Sequence, residues 1–235
     1  MENTRLLRGA AIAAVTGALA QLVATVLEPD WGGDADAAVR VVADSGVWVG
    51  DRLLDLFGVL LMVAALTVVG RTLHSEPGRE WARVGQPFLV LTGALGLSAV
   101  TMQAVMKELA DTWSGAADAQ RGSYLAAFDA VTTAAGVLFF AAFLAFGVFL
   151  AALSSAILTG RLYPRWVGVL VGVAAALIFI GNLSQLLAAP AWLAVLAGLA
   201  LALIAQTALG VSMWRHASTR HRRQPAPELD AANLA

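Results

Sequence analysis

The chain has 235 residues, 59% of them hydrophobic and 13% charged, with a formal net charge of −1. Its mean hydropathy of +0.76, carried by long unbroken apolar blocks rather than amphipathic stripes, excludes an ordinary soluble domain. The lack of cysteine excludes disulfides, thiolate metal sites, thiol nucleophiles and cysteine acylation. The three histidines, His74, His216 and His221, fall in loop or tail positions and form no His-Glu-x-x-His helix, so a haem held between intramembrane histidines and a zinc-protease helix are excluded too.

The first apolar block runs from about Leu6 to Leu27, behind Arg5 and Arg8. Ala18-Leu19-Ala20 resembles a signal-peptide cleavage site, but the apolar run continues past it and further spans follow, so the block reads as an uncleaved first helix. The next loop, Glu28 to Val47, carries Glu28, Asp30, Asp34, Asp36 and Asp44, with Asp34 placed to cap a short surface helix. The second span, about 51–70, opens with Asp51 and Asp55, four residues apart and therefore on one face. The third, about 84–105, has Pro87 in its first turn, and its helical pattern continues through Lys107, Glu108 and Asp111 toward Trp113.

A polar linker of small residues, Ser114 to Gly122, precedes a helix that starts near Tyr124 and spans the membrane over about 130–158. That helix is too long for one bilayer unless it tilts or stands above the surface. Arg161, Pro164 and Arg165 turn the chain into the fifth span, about 166–187, and Pro190 opens the sixth, about 190–214. The stretch from His216 to Ala235 is polar and aperiodic and reads as a disordered basic tail. The fold expected is all-α: residues 1–215 as one polytopic bundle of six transmembrane helices, with both termini cytoplasmic.

Charge sets that orientation. Cytoplasmic termini place eleven of the fifteen Lys and Arg residues inside, in line with the positive-inside rule, and eleven of the sixteen acids outside. Trp31, Trp48, Trp113 and Trp192 then mark the outer interface, and Trp81, Trp166 and Trp214 the inner one.

A helical rise of about 1.5 Å per residue, counted from the cytoplasmic arginine of each span, gives depth in a core roughly 30 Å thick. Gln206 comes out about 14 Å above Arg215, Gln21 about 20 Å above Arg8, Asp55 about 24 Å above Arg71, and Asn182 about 26 Å above Arg165. Gln103, Gln185 and Asp51 reach about 30 Å, the outer rim. If these side chains converge, they form a funnel open to the outside and closed toward the cytoplasm. Lys107, which shares a face with Gln103, is the expected counter-ion of Asp55 or Asp51, with Arg52 and Glu108 as competitors.

The bland account of these polar groups is structural glue between helix ends; the alternatives are a ligand or ion site, or a catalytic acid. Small-residue spacing at Gly9, Ala13 and Gly17, at Gly168 and Gly172, and at Ala194, Gly198 and Ala202 permits close helix approach. Phe139, Phe143 and Phe146 lie on one helix face and would line an apolar cavity or stabilise a cation, or else simply pack. No phosphate-binding glycine loop, Gly-x-Ser-x-Gly or nucleic-acid pattern occurs. The spacing of Asp51 and Asp55 matches that of magnesium-diphosphate prenyltransferases, but the pair lies on the outer side with no second Asp-rich motif to face it. No metal or other cofactor is expected.

The acid-rich loop leading into Asp44-Ser-Gly-Val-Trp and Asp51-Arg-Leu-Leu-Asp55, with Leu162-Tyr-Pro-Arg-Trp-Val-Gly-Val-Leu170, resembles a group of small six-helix actinobacterial-type membrane proteins catalogued as a domain of unknown function. The resemblance implies architecture and carries no catalytic residues with it.

Three functions stay open on the sequence. The first is a protein binding or transporting a small, cationic or amine-bearing ligand from the outer face through Asp51, Asp55 and Asp129, with Gln21, Gln103, Lys107, Asn182 and Gln185 around them; a carrier of this length would work as a homodimer. The second is an intramembrane enzyme of terpenoid cyclase or isomerase type, with Asp55 and Asp129 as acids. The third is an accessory subunit of a larger membrane complex. The lipid bilayer is the expected surrounding in each, and nucleic acid a partner in none.

Overall fold

Backbone amides in hydrocarbon have no water to bond, so apolar runs of this length have to satisfy them internally, as helices. The computed structural model describes residues 2–30, 34–73, 75–160, 162–186 and 192–222. These form α1 (Glu2–Leu27), α2 (Ala35–Asp44), α3 (Trp48–Thr72), α4 (Glu76–Gly115), α5 (Asp118–Gly160), α6 (Arg165–Leu186) and α7 (Trp192–Arg222). All but the short α2 are long and apolar enough to cross a membrane.

The six long helices close into a ring in chain order. Each packs on its neighbour in sequence, α7 returns onto α1, and α3 and α7 also touch. The short turns between helices make antiparallel neighbours the natural outcome. Several crossings rest on small residues: a Cβ on Gly58 would lie 3.1 Å from the Gly17 carbonyl, one on Gly198 3.1 Å from the Ala174 carbonyl, and one on Gly210 3.0 Å from the Ala11 carbonyl. Apolar side chains such as Leu53, Phe57, Val90, Ile180 and Leu193 are exposed on the outside of the ring, where lipid would meet them.

The ring is filled unevenly. The half next to the arginine-rich turns holds one continuous core that includes Leu7, Val69, Leu73, Leu89, Ile157, Val171, Leu209 and Met213. A second, smaller core lies at the other end, where Val39 and Val42 of α2 pack with Trp48 at the start of α3, Met106 of α4 and Phe128 of α5. The Asp34 carboxylate caps α2, accepting from the Ala37 amide at 2.8 Å.

Four local expectations change. The break between α4 and α5 is confined to Ala116 and Ala117, because Ser114 and Gly115 extend α4 and Asp118 already opens α5. Pro87 lies inside α4 rather than in its first turn, since the helix starts at Glu76 and takes Pro77 there instead. Trp48 is not an interfacial belt residue: it is wholly buried beneath α2, and its indole N–H donates to the Gln103 carbonyl at 2.8 Å. Helix α7 runs on to Arg222, into the stretch read as tail, and residues 223–235 lie outside the described residues, as do Trp31 and the Trp192 side chain. Trp81, Trp166 and Trp214 are exposed.

Candidate functional site

Above the packed half, the ring encloses a cavity of about 430 Å³ to which all six long helices contribute. Its floor is set by Met62, Thr92 and Gln206. Each lies nine residues from the arginine at the same end of its helix, Arg71, Arg83 and Arg215, which places all three at about 14 Å from that end. Its upper rim is Glu28, Arg52 and Gln103, at about 30 Å on the same scale. The void therefore occupies the half of the bundle opposite the arginine-rich turns, the shape expected of a funnel closed toward those turns.

At the rim, Arg52 ties three helices together. Its guanidinium donates to Glu28 Oε1 at 2.6 Å, just past the end of α1, and to Gln103 Oε1 at 3.0 Å on α4, lies 3.0 Å from Asp51 Oδ2, and sits 4.6 Å from the Trp48 ring centroid. Arg52 and Asp51 are both buried, and the Asp51 oxygens accept no hydrogen bond. Asp51 is therefore a charge partner inside the rim and does not line the cavity.

Most polar groups in the wall are satisfied by helix backbone. Gln206 Nε2 donates to the Ala14 carbonyl, Asn182 Nδ2 to Ile178, Thr92 Oγ1 to Phe88, and Thr25 Oγ1 to Gln21. Gln21 Nε2 reaches Met62 Sδ at 4.0 Å. Asp55 is the exception. It lines the cavity half-buried, and among the described polar residues of the wall it alone makes neither a hydrogen bond nor an ion pair. The rest of the wall is largely apolar: Phe139, Phe140, Phe143 and Phe146 of α5, Val59 and Met62 of α3, and Val195, Leu196, Leu199 and Leu203 of α7. Phe139 and Phe143 stack with ring centroids 6.0 Å apart.

The structure thus brings Gln21, Asp55, Gln103, Asn182 and the three phenylalanines of the expected face to one cavity, with Asp51 directly behind its rim. It does not bring in the others. Lys107 is not the counter-ion of either aspartate: it pairs with Asp111 one turn on and donates to the Ala43 carbonyl at 3.0 Å, which engages it at the end of α2. Asp129 and Glu108 are exposed away from the cavity, and the Gln185 side chain lies outside the described residues.

Glu28 and the aliphatic wall of α7 do not stand out in the sequence. Glu28 is one of several loop acids, and Val195, Leu196, Leu199 and Leu203 are ordinary aliphatics whose inward face only the ring defines. No group of His, Asp or Glu among the described residues is arranged to hold a metal ion.

Comparison with family models, with curated proteins and with solved structures finds no match to the chain. The class rests on the fold itself: an all-helical, multi-pass membrane protein with a cavity in one half of its bundle.

Proposed function

We propose that the protein binds a small ligand in this cavity, entering from the outer face, with Asp55 as its polar anchor, either as a receptor-like binding protein or as the binding half of a transport cycle. The observation that carries the reading is the unpartnered Asp55 carboxyl in a mostly apolar cavity. A carboxyl at membrane depth is costly, and structural glue would have paired it. The size falls in the range of small-molecule sites, about 300–1,000 Å³. The orientation follows from the arginine-rich turns lying in the cytoplasm.

The absence of cysteine makes a direct test available. Val59→Cys, in the cavity wall, should react with a membrane-impermeant thiol reagent added outside intact cells, while Val69→Cys, in the packed half, should not. Labelling of Val59→Cys only from the cytoplasmic side, or from neither side, would overturn the reading.

The same unpaired carboxyl beside phenyl rings supports a second reading, an intramembrane enzyme that protonates a lipophilic alkene from Asp55 and shelters the resulting cation. Asp129, exposed and off the cavity, has no place in it. Turnover of a prenylated substrate that survives Asp55→Asn would eliminate that role.

A further inference from the structure

We infer that the ligand of this cavity is a hydrophobic monocation: a single ammonium-type charge on an apolar body. This deepens the ligand-binding reading and rests on it.

Three features of the wall converge on that class. The first is its charge balance. The charged residues lining the cavity are Glu28, Arg52 and Asp55. Arg52 already engages Glu28, Gln103 and Asp51, so its guanidinium is committed to the rim. An anionic ligand would therefore find no free cation among the described residues of the wall, and it would meet the Asp55 carboxylate. A cation would find that carboxylate open.

The second feature is what surrounds the carboxylate. The amide nitrogens of Gln206 and Asn182 and the hydroxyls of Thr25 and Thr92 donate to backbone carbonyls, and the Gln21 amide nitrogen reaches the Met62 sulfur. Around these groups the wall offers Phe139, Phe140, Phe143 and Phe146, whose ring faces attract a cation and whose surface suits hydrocarbon equally well.

The third feature is depth. Asp55 lies above the floor made by Met62, Thr92 and Gln206, by roughly 10 Å on the helical rise. A charge held at Asp55 therefore leaves room for an apolar group pointing down between α3, α5 and α7. Asp30, Asp34 and Asp44, in the segment between α1 and α3, are exposed, and acidic groups outside an opening raise the local concentration of cations.

The probes that test this are benzyltrimethylammonium, its uncharged carbon isostere neopentylbenzene, and benzenesulfonate, each titrated into the detergent-solubilised full chain by calorimetry. Saturable binding is expected for the ammonium alone, weakened by about ten-fold or more in Asp55→Asn and by a few-fold in Phe143→Leu, which keeps an apolar side chain but removes the ring. Asp55→Asn loses no partner, and its fold is checked by its melting curve. Equal binding of the ammonium and neopentylbenzene would overturn the cation inference while leaving a ligand-binding cavity in place. Ammonium binding unchanged in Asp55→Asn would overturn it too, as would preference for the sulfonate or failure of all three to bind. Failure of the ligand-binding reading is scored separately, by the outside labelling of Val59→Cys.

Discussion

Arg52 and Glu28, 2.6 Å apart, fasten α3 to α1 at the rim of the cavity, and the same guanidinium reaches Gln103 on α4. The cluster is therefore a three-helix joint. Removing its one cation would strand Asp51, which is almost fully buried. Arg52→Gln should lower the stability of the solubilised protein by about 3 kcal/mol, the usual penalty for breaking a buried pair from one side. The double variant Arg52→Gln with Asp51→Asn should recover part of that loss, because the stranded charge goes with it. Additive losses in chemical denaturation would show that Asp51 does not depend on Arg52.

Asp55, one turn along α3, should behave oppositely. With no hydrogen bond or ion pair to lose, Asp55→Asn changes the side chain almost isosterically and removes a charge at membrane depth. The melting temperature of the variant should equal or exceed that of the parent, the pattern expected where a site is kept for function at some cost in stability. A clearly lower melting temperature would mean that Asp55 is structural glue after all.

The contrast between these two aspartates marks how far sequence reasoning reaches. Their depth follows from helical rise, and their common face from the four-residue spacing. Helix positions likewise follow from the length of apolar runs, and the capping of α2 by Asp34 from the residue type. The partner of each charge does not follow, because it depends on which helices become neighbours in the ring. Lys107 has the right sign and shares a face with Gln103, yet it lies beside α2 and Asp111, and Arg52, on the same helix as both aspartates, holds the rim. Trp48 misled for a related reason. An indole near a helix end usually faces the interface, but here α2 folds over it and buries it.

Two glycines should separate close packing from open wall. A Cβ on Gly58 would meet Gln21 Cγ at 2.6 Å and the Gly17 carbonyl at 3.1 Å, so Gly58→Ala must push α1 and α3 apart and should cost about 1–3 kcal/mol. Gly136 lines the cavity with nothing within 4 Å of the same added atom. Gly136→Ala should therefore be neutral or stabilising by up to about 1 kcal/mol, through helix propensity alone. Melting curves of the two variants in one detergent test the pair, and equal destabilisation would contradict the close crossing of α1 and α3.

At the opposite end of the bundle, the buried Tyr163 hydroxyl shares a 2.7 Å hydrogen bond with Thr72 Oγ1, joining the turn before α6 to the last turn of α3. Burial pushes the phenol above its ordinary value of 10.0. Because the folded protein holds this proton more tightly than the unfolded chain, the contribution is complete below the ordinary value and is lost as pH rises through the folded one. Tyr163→Phe should cost about 1 kcal/mol at neutral pH, the net worth of one hydrogen bond. It should also flatten the fall in stability on the alkaline side, which melting temperatures taken from pH 8 to 11 would read directly. Parallel alkaline curves for parent and variant would show that the Tyr163 proton is not linked to folding.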